Sequence, residues 1–179
     1  MKLFLTSMIL FSLLAACQTA EVKRSGPPPD WVVRTPLKSG MICAVGTSGP
    51  TYYRDDAQAL AAENARAELA RTINVSIKNI MVEMTTEKGS YFDDATVSEV
   101  SSWATSAVVE NSSILEYWHD ADGQVLKKDF TYALGCMPRK FDRKSLQAHM
   151  TDANISDKKN FSEISRAADE IIKQLEEME

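Results

Sequence analysis

Apolar and polar positions alternate along this chain in several distinct rhythms. Leu3 to Ala16 carries no charge and follows a single cation, Lys2. Residues 18–30 show no apolar periodicity and end in Pro27-Pro28-Pro29-Asp30, the pattern of an extended tether. Met41 to Val45 is a short apolar run closed by Gly46, which predicts a first strand. From Asp55 onward the rhythm becomes helical. Ala62, Ala65, Leu69 and Ile73 recur at helical spacing, and their small members allow a helix to approach a sheet closely. Asp55 and Asp56 suit the positive end of that helix's dipole.

Ile73, Val75 and Ile77 then alternate with Asn74, Ser76 and Lys78, before the apolar set moves to Ile80, Val82 and Met84. A parity slip of this kind predicts one long strand bent by a β-bulge. A loop is expected over 86–95, and a second helix around Val97, Val100, Ala104 and Ala107. Val108 to His119 leads into Asp120-Ala121-Asp122-Gly123, a hairpin turn signal. Beyond it, Leu126, Phe130, Tyr132, Leu134 and Cys136 share one face, with Lys127, Asp129 and Thr131 on the other. That predicts a half-buried antiparallel strand. The expected fold is α+β, a compact two-layer domain with a helix packed on an antiparallel sheet, plus a C-terminal helix. In the last segment Phe161, Ile164, Ala168, Ile171, Leu175 and Met178 recur every three or four residues. This is a candidate interaction helix with a heptad-like seam; docking on its own domain fits the spacing equally well.

Composition narrows the class. At 179 residues, 44% hydrophobic and 25% charged, the chain suits one globular domain with a tail. Its net charge of −5 disfavours a nucleic-acid partner, since phosphate neutralisation calls for a basic surface. Much of the acidic excess lies in 151–179, which holds eight acids against four bases. The uncharged run before Ala16 is shorter than the roughly 20 residues a membrane-spanning helix needs. Residues 1–16 therefore read as an export signal.

Leu14-Ala15-Ala16-Cys17 resembles the bacterial lipobox. The resemblance implies cleavage before Cys17 and a covalent diacylglyceryl and N-acyl (palmitate-type) lipid on that residue. Two or three acyl chains anchor a protein stably, where one binds only marginally. Gln18 replaces the aspartate that would imply inner-membrane retention, so the expected localisation is the outer membrane. Cys43 and Cys136 remain, as a disulfide in an oxidising compartment or as two buried thiols.

Catalytic and metal-binding chemistry finds little support. Gly46-Thr47-Ser48-Gly49 precedes a helix but lacks the Lys-Ser/Thr of a P-loop. Asp120 and Asp122 are spaced like calcium ligands, yet Gly123 stands two places too early for an EF-hand. Asp55/Asp56 and Asp93/Asp94 are adjacent pairs that do not face each other, as capping and loop residues do not. His119 and His149 lie in no zinc or nucleophile motif, and no CxxC occurs. No catalytic residue, metal or dissociable cofactor is therefore expected. Trp31, Trp103 and Trp118 read as core anchors, and Arg139, Lys140, Arg143 and Lys144 as a solvated charge run, with contact to anionic lipid or peptidoglycan as the alternative.

These motifs, in order, resemble the LPP-twenty family of bacterial outer-membrane lipoproteins. The likeness lies in the lipobox, Pro29-Asp30-Trp31-Val32, Ala44-Val45-Gly46, the helix Ala57-Gln58-Ala59 through Ala65-Arg66-Ala67-Glu68-Leu69-Ala70, and Tyr117-Trp118-His119-Asp120-Ala121-Asp122-Gly123 with Tyr132-Ala133-Leu134. It covers Cys17 to Met137 and leaves the tail unmatched. It implies an α/β domain, an envelope location and, in some lineages, association with the flagellar basal disk; it brings no catalytic residues. The expected division is a signal peptide (1–16), a lipidated cysteine and Pro-rich tether (17–30), a domain (31–150) and an acidic amphipathic helix (151–179). The expected function is non-enzymatic: envelope or surface-structure assembly through association with itself or an envelope protein. The alternative is a periplasmic module that binds peptidoglycan or a small ligand near the 46–50 loop.

Overall fold

The structure, a computed structural model, describes residues 22–24, 26–34, 36, 38–88, 94–152 and 158–177. The leader and Cys17 lie outside the described residues. Along the chain run β1 (Val22–Arg24), α1 (Asp30–Val33), β2 (Met41–Ser48), α2 (Arg54–Lys88), α3 (Asp94–Asn111), β3 (Ser113–Asp120), β4 (Phe130–Pro138), α4 (Arg143–Asp152) and α5 (Lys158–Glu177). The fold is α+β, with helices packed on a sheet of order β1-β3-β4-β2. β2, β3 and β4 are antiparallel neighbours, and β1 adds a short parallel edge beside β3. No described helix is long and apolar enough to cross a membrane.

Small residues bring α2 onto the sheet at backbone distance. A Cβ placed on Gly46 would lie 2.1 Å from the Ala65 backbone nitrogen and 2.2 Å from the Ala61 carbonyl oxygen. One on Gly135 would lie 3.1 Å from the Ala65 side chain. Ala61, Ala65 and Ala133 are fully buried in this contact, with Ile114 and Tyr117 packed beside them.

The long strand expected over 73–84 is instead the second half of α2. Ile73, Ile77, Ile80, Met81 and Met84 are buried on one helical face, whereas Val75 and Val82 are more than half exposed. The alternation that suggested a strand rests on those two exposed valines. No glycine or proline interrupts Arg54 to Lys88, so the alanine-rich first half propagates through the β-branched second. Hydroxyls of Thr72, Ser76 and Thr85 donate to the carbonyls four residues back at 2.9, 3.0 and 2.8 Å, which satisfies polar side chains within the helix.

The predicted hairpin exists with different limits. Val108 is buried inside α3, and β3 starts at Ser113. A bulge between Ile114 and Glu116 switches the facing parity, so Ile114 and Tyr117 both point to α2. Leu126, expected on the buried face of β4, is exposed and precedes the strand. β4 is central rather than half-buried: every residue from Thr131 to Met137 is buried.

The face opposite α2 is strapped by the segment read as a tether. Trp31 Nε1 donates to Glu116 Oε2 at 3.0 Å, and Gln124 Nε2 donates to the Gly26 carbonyl at 3.1 Å. Val22–Arg24 pairs with Tyr117–His119. Backbone pairing at Val22–Arg24 and the indole hydrogen bond of Trp31 thus dock part of the segment that the sequence reads as a tether.

The tail follows the second of the two readings open to it, docking on its own domain. Ala168, Ile171 and Leu175 of the candidate interaction seam are fully buried in the main core, together with Ile172, Leu69, Ile73, Trp103, Phe141 and Leu146. The side chains of Phe161, Ile164 and Met178 lie outside the described residues. The described part of the seam is used within its own domain, as a helix without another apolar surface to bury must be.

Two substitutions test this packing. Gly46→Ala should cost about 3 kcal/mol or more, because helix backbone cannot move aside as a side chain can. Leu175→Ala should cost about 2–5 kcal/mol as a core truncation, whereas a seam serving only association would leave stability nearly unchanged. Urea melts of each variant against the parent chain read both effects.

Candidate functional site

The cysteines separate by role. Cys43 and Cys136 are direct cross-strand partners in the β2–β4 ladder, with Cα atoms 4.1 Å apart, and their sulfurs are bonded. This bond closes a sequence separation of 93 residues and ties edge strand β2 to the central strand. Of the three cysteines only Cys17 is left for other chemistry.

The most organised polar cluster surrounds Asp120, at the end of the sheet where β3 gives way to the loop over 121–129. Asp120 is fully buried. The Gln124 N–H donates to its Oδ1 at 2.8 Å and the Val125 N–H to its Oδ2 at 2.9 Å. The Asp129 N–H donates to the Asp120 carbonyl at 2.7 Å, which closes the loop. Positive φ at Gly123 (74°) and Asp129 (65°) makes the reversals. A side chain at Gly123 would also meet the Lys128 backbone nitrogen at 2.9 Å, so the loop is folded tightly on itself.

Burial opposes the charge on Asp120, but the N–H groups of Val125, Gln124, Gly123 and Leu126 together outweigh it and hold the pKa below the usual 3.8. Tyr132 beside it shifts the other way. Burial first, then the Asp120 charge, pushes its phenol above 10.0, against the smaller lowering effect of a hydrogen bond with the Leu126 backbone. The Trp118 ring lies 5.3 Å from that of Tyr132. His119 Nδ1 is 3.3 Å from Thr131 Oγ1, and its Nε2 is 3.7 Å from Asp129 Oδ1. This Asp-His-Thr row lacks the access that nucleophilic chemistry requires, because Thr131 is only 2% exposed.

The other sequence candidates are dispersed. Gly46, Thr47 and Ser48 belong to β2, and Gly46 abuts α2, so this stretch is the end of a strand rather than a phosphate-binding loop. The Asp120 oxygens are occupied by backbone N–H donors, and no group of three or more metal-binding side chains occurs among the described residues. Trp103 and Trp118 are buried anchors, while Trp31 is partly exposed and clamps the N-terminal strap. Arg143 is ion-paired with Asp169 across α4 and α5, beside a shallow groove of about 390 Å³ that Ile172, Lys173, Glu176 and Glu177 also line. Lys140 and Lys144 are exposed and make no ion pair among the described residues. The side chain of His149 lies outside the described residues.

Sequence reasoning missed Asp120 as the organiser of its loop. The signal was present, since an aspartate at the head of a turn accepts N–H groups from the residues that follow. The Asp120-Ala121-Asp122-Gly123 motif had instead suggested a tight two-strand turn.

No family model matches the chain, and no curated protein matches it at a significant level.

Because the folded pKa of Asp120 lies below its unfolded value, its contribution is complete above pH 3.8 and is lost as pH falls through the folded value. Asp120→Asn should cost about 1.5–3 kcal/mol at neutral pH, the scale of hydrogen bonds to a charged group. The variant should also lose less further stability on acidification than the parent. Urea midpoints measured at neutral pH and below pH 3.8 give the comparison.

Proposed function

We propose that this chain is a non-enzymatic lipoprotein, anchored in the outer membrane through acyl chains on Cys17, whose domain serves envelope or surface-structure assembly. The observation that carries the reading is the Cys43–Cys136 disulfide. Disulfides persist in oxidising compartments, so the bond agrees with export of the chain. It also consumes both other cysteines and leaves the lipobox residue as the remaining thiol. The α+β architecture agrees with the LPP-twenty resemblance, and the order of its motifs follows elements that pack together.

The burial of Ala168, Ile171 and Leu175 shifts the proposed assembly surface away from the tail. Tyr52 and Tyr53, with rings 4.8 Å apart edge to face, are 92% and 65% exposed at the loop before α2, and Leu60 is exposed on that helix. Exposed tyrosines combine large contact area with low entropy cost, which suits a site of association with a second copy or an envelope protein.

Membrane fractionation and intact mass test the anchor. The mature parent chain should begin at Cys17, carry diacylglyceryl and N-acyl mass, and sediment with outer membranes. Cys17→Ser should abolish the added mass and release the chain from the membrane. A Cys17→Ser chain that remains membrane-bound would end the lipoprotein reading.

A further inference from the structure

The strap on the sheet fixes how an anchored domain meets its bilayer. Val22 pairs with Tyr117, Tyr117 with Ala133, and Ala133 with Gly46. Gly46 in turn abuts Ala65 of α2. Val22 and Ala65 are therefore level along the molecule. Five residue steps separate Cys17 from Val22, and they span at most about 18 Å. From Ala65 to Lys88 the helix rises about 34 Å. It runs past the end of the sheet that holds Ser113, Pro138 and Met41, because Leu69 and Ile73 already cluster with Ala44 and Ile42. An anchor on Cys17 cannot reach beyond the Lys88 end of α2, so the helix cannot stand upright on a membrane with that end down. With that end toward the bilayer, the domain must lean over.

Strand polarity selects the part that approaches. β1 is parallel to β3, so the chain enters β1 from the Ser113 end. Lys38 precedes β2 and Arg139-Lys140 follow β4 at that same end, where the Arg139 N–H donates to the Gly40 carbonyl at 2.8 Å. Residues 138–144 hold four cations and one acid, Asp142. Lys140 is exposed and unpaired among the described residues. Lys38 lies 3.8 Å from Glu116 with much of its side chain in solvent, and one Arg139 Nη reaches the Met41 carbonyl at 3.5 Å. Lys127 and Lys128, on the loop after β3, lie at the opposite end of the sheet.

We propose that the end of the sheet carrying Lys38, Arg139 and Lys140 docks on anionic lipid headgroups, with α2 inclined along the bilayer. This rests on acylation of Cys17. The short span brings these cations within reach of the surface, where basic residues gain most from anionic lipid, and the attraction decays within a Debye length.

Amine labelling of the acylated full chain, reconstituted in vesicles, tests the arrangement. In phosphatidylglycerol-containing vesicles Lys38 and Lys140 should react about fivefold more slowly than Lys127 and Lys128, the ratio set by the typical gain of one surface cation. High salt, pure phosphatidylcholine or Arg139→Glu with Lys140→Glu should remove the protection. Equal rates at Lys140 and Lys127 in the anionic vesicles, with acyl mass on Cys17 verified, would overturn the docking and spare the lipoprotein reading. A mature chain without that mass overturns both.

Discussion

Helix α2 touches the sheet at backbone distance, and much of the rest of the structure depends on that contact. Gly46 of β2, Gly135 and Ala133 of β4 and Ala61 and Ala65 of α2 leave almost no side-chain layer between helix and strand. Dispersion gains are largest where surfaces meet without voids, and backbone contact allows little sliding. One end of the long helix is thereby fixed over the sheet. The other end overhangs it and forms a scaffold for α3, α4 and α5, whose buried residues join Ile77, Ile80, Met81 and Met84 in one core. Small side chains at one end thus position large ones at the other.

The same contact explains which features could be read from the chain. Alanines at helical spacing announced a helix that lies close to a sheet, and the alternation of Tyr132, Leu134 and Cys136 announced a strand. The run from Ile73 to Met84 was ambiguous because Ile73 and Ile77 satisfy a period of two and a period of 3.6 alike. Tertiary burial decided for the helix, against the β-branched propensity of the segment. The bulge at Leu115 was hidden for a related reason. It lets Ile114 and Tyr117 share a face, which no regular alternation does. β4 is flanked by β2 and β3 and buried along its whole length from Thr131 to Met137, a result of sheet order that no local pattern could express.

At the level of the site, single-residue chemistry was more legible than placement. The cysteines could be counted and their redox setting inferred, but only the register of β2 and β4 joins Cys43 to Cys136. The seam of the last helix was visible as a pattern, while its occupant was not. A stripe of apolar residues states that something must cover it, and its spacing is the same for a neighbouring molecule or for the chain's own core. Asp120 shows the converse. Its side chain acts through the backbone of the residues after it, so its importance lies in loop geometry rather than in any motif of charged partners.

An extended tether and a docked one differ in what they transmit. Thirteen free residues would let a domain rotate and wander relative to its lipid anchor, with an end-to-end distance that grows slowly with length. Pairing of Val22–Arg24 with β3 takes that freedom from the paired residues. On the lipoprotein reading the anchor becomes nearly a part of the sheet, and the orientation of the domain follows from the fold. The disulfide helps to hold the opposite edge, joining β2 to the central strand beneath α2. The exposed Tyr52 and Tyr53 sit after β2, at the end of the sheet away from where the chain enters β1. On the same reading, an orienting attachment at one end and a pair of exposed tyrosines at the other suit an assembling envelope protein better than a module hunting for soluble ligand. Multivalent assembly gains from restricted orientation, because an anchored domain that already faces its partner loses less rotational freedom when it binds.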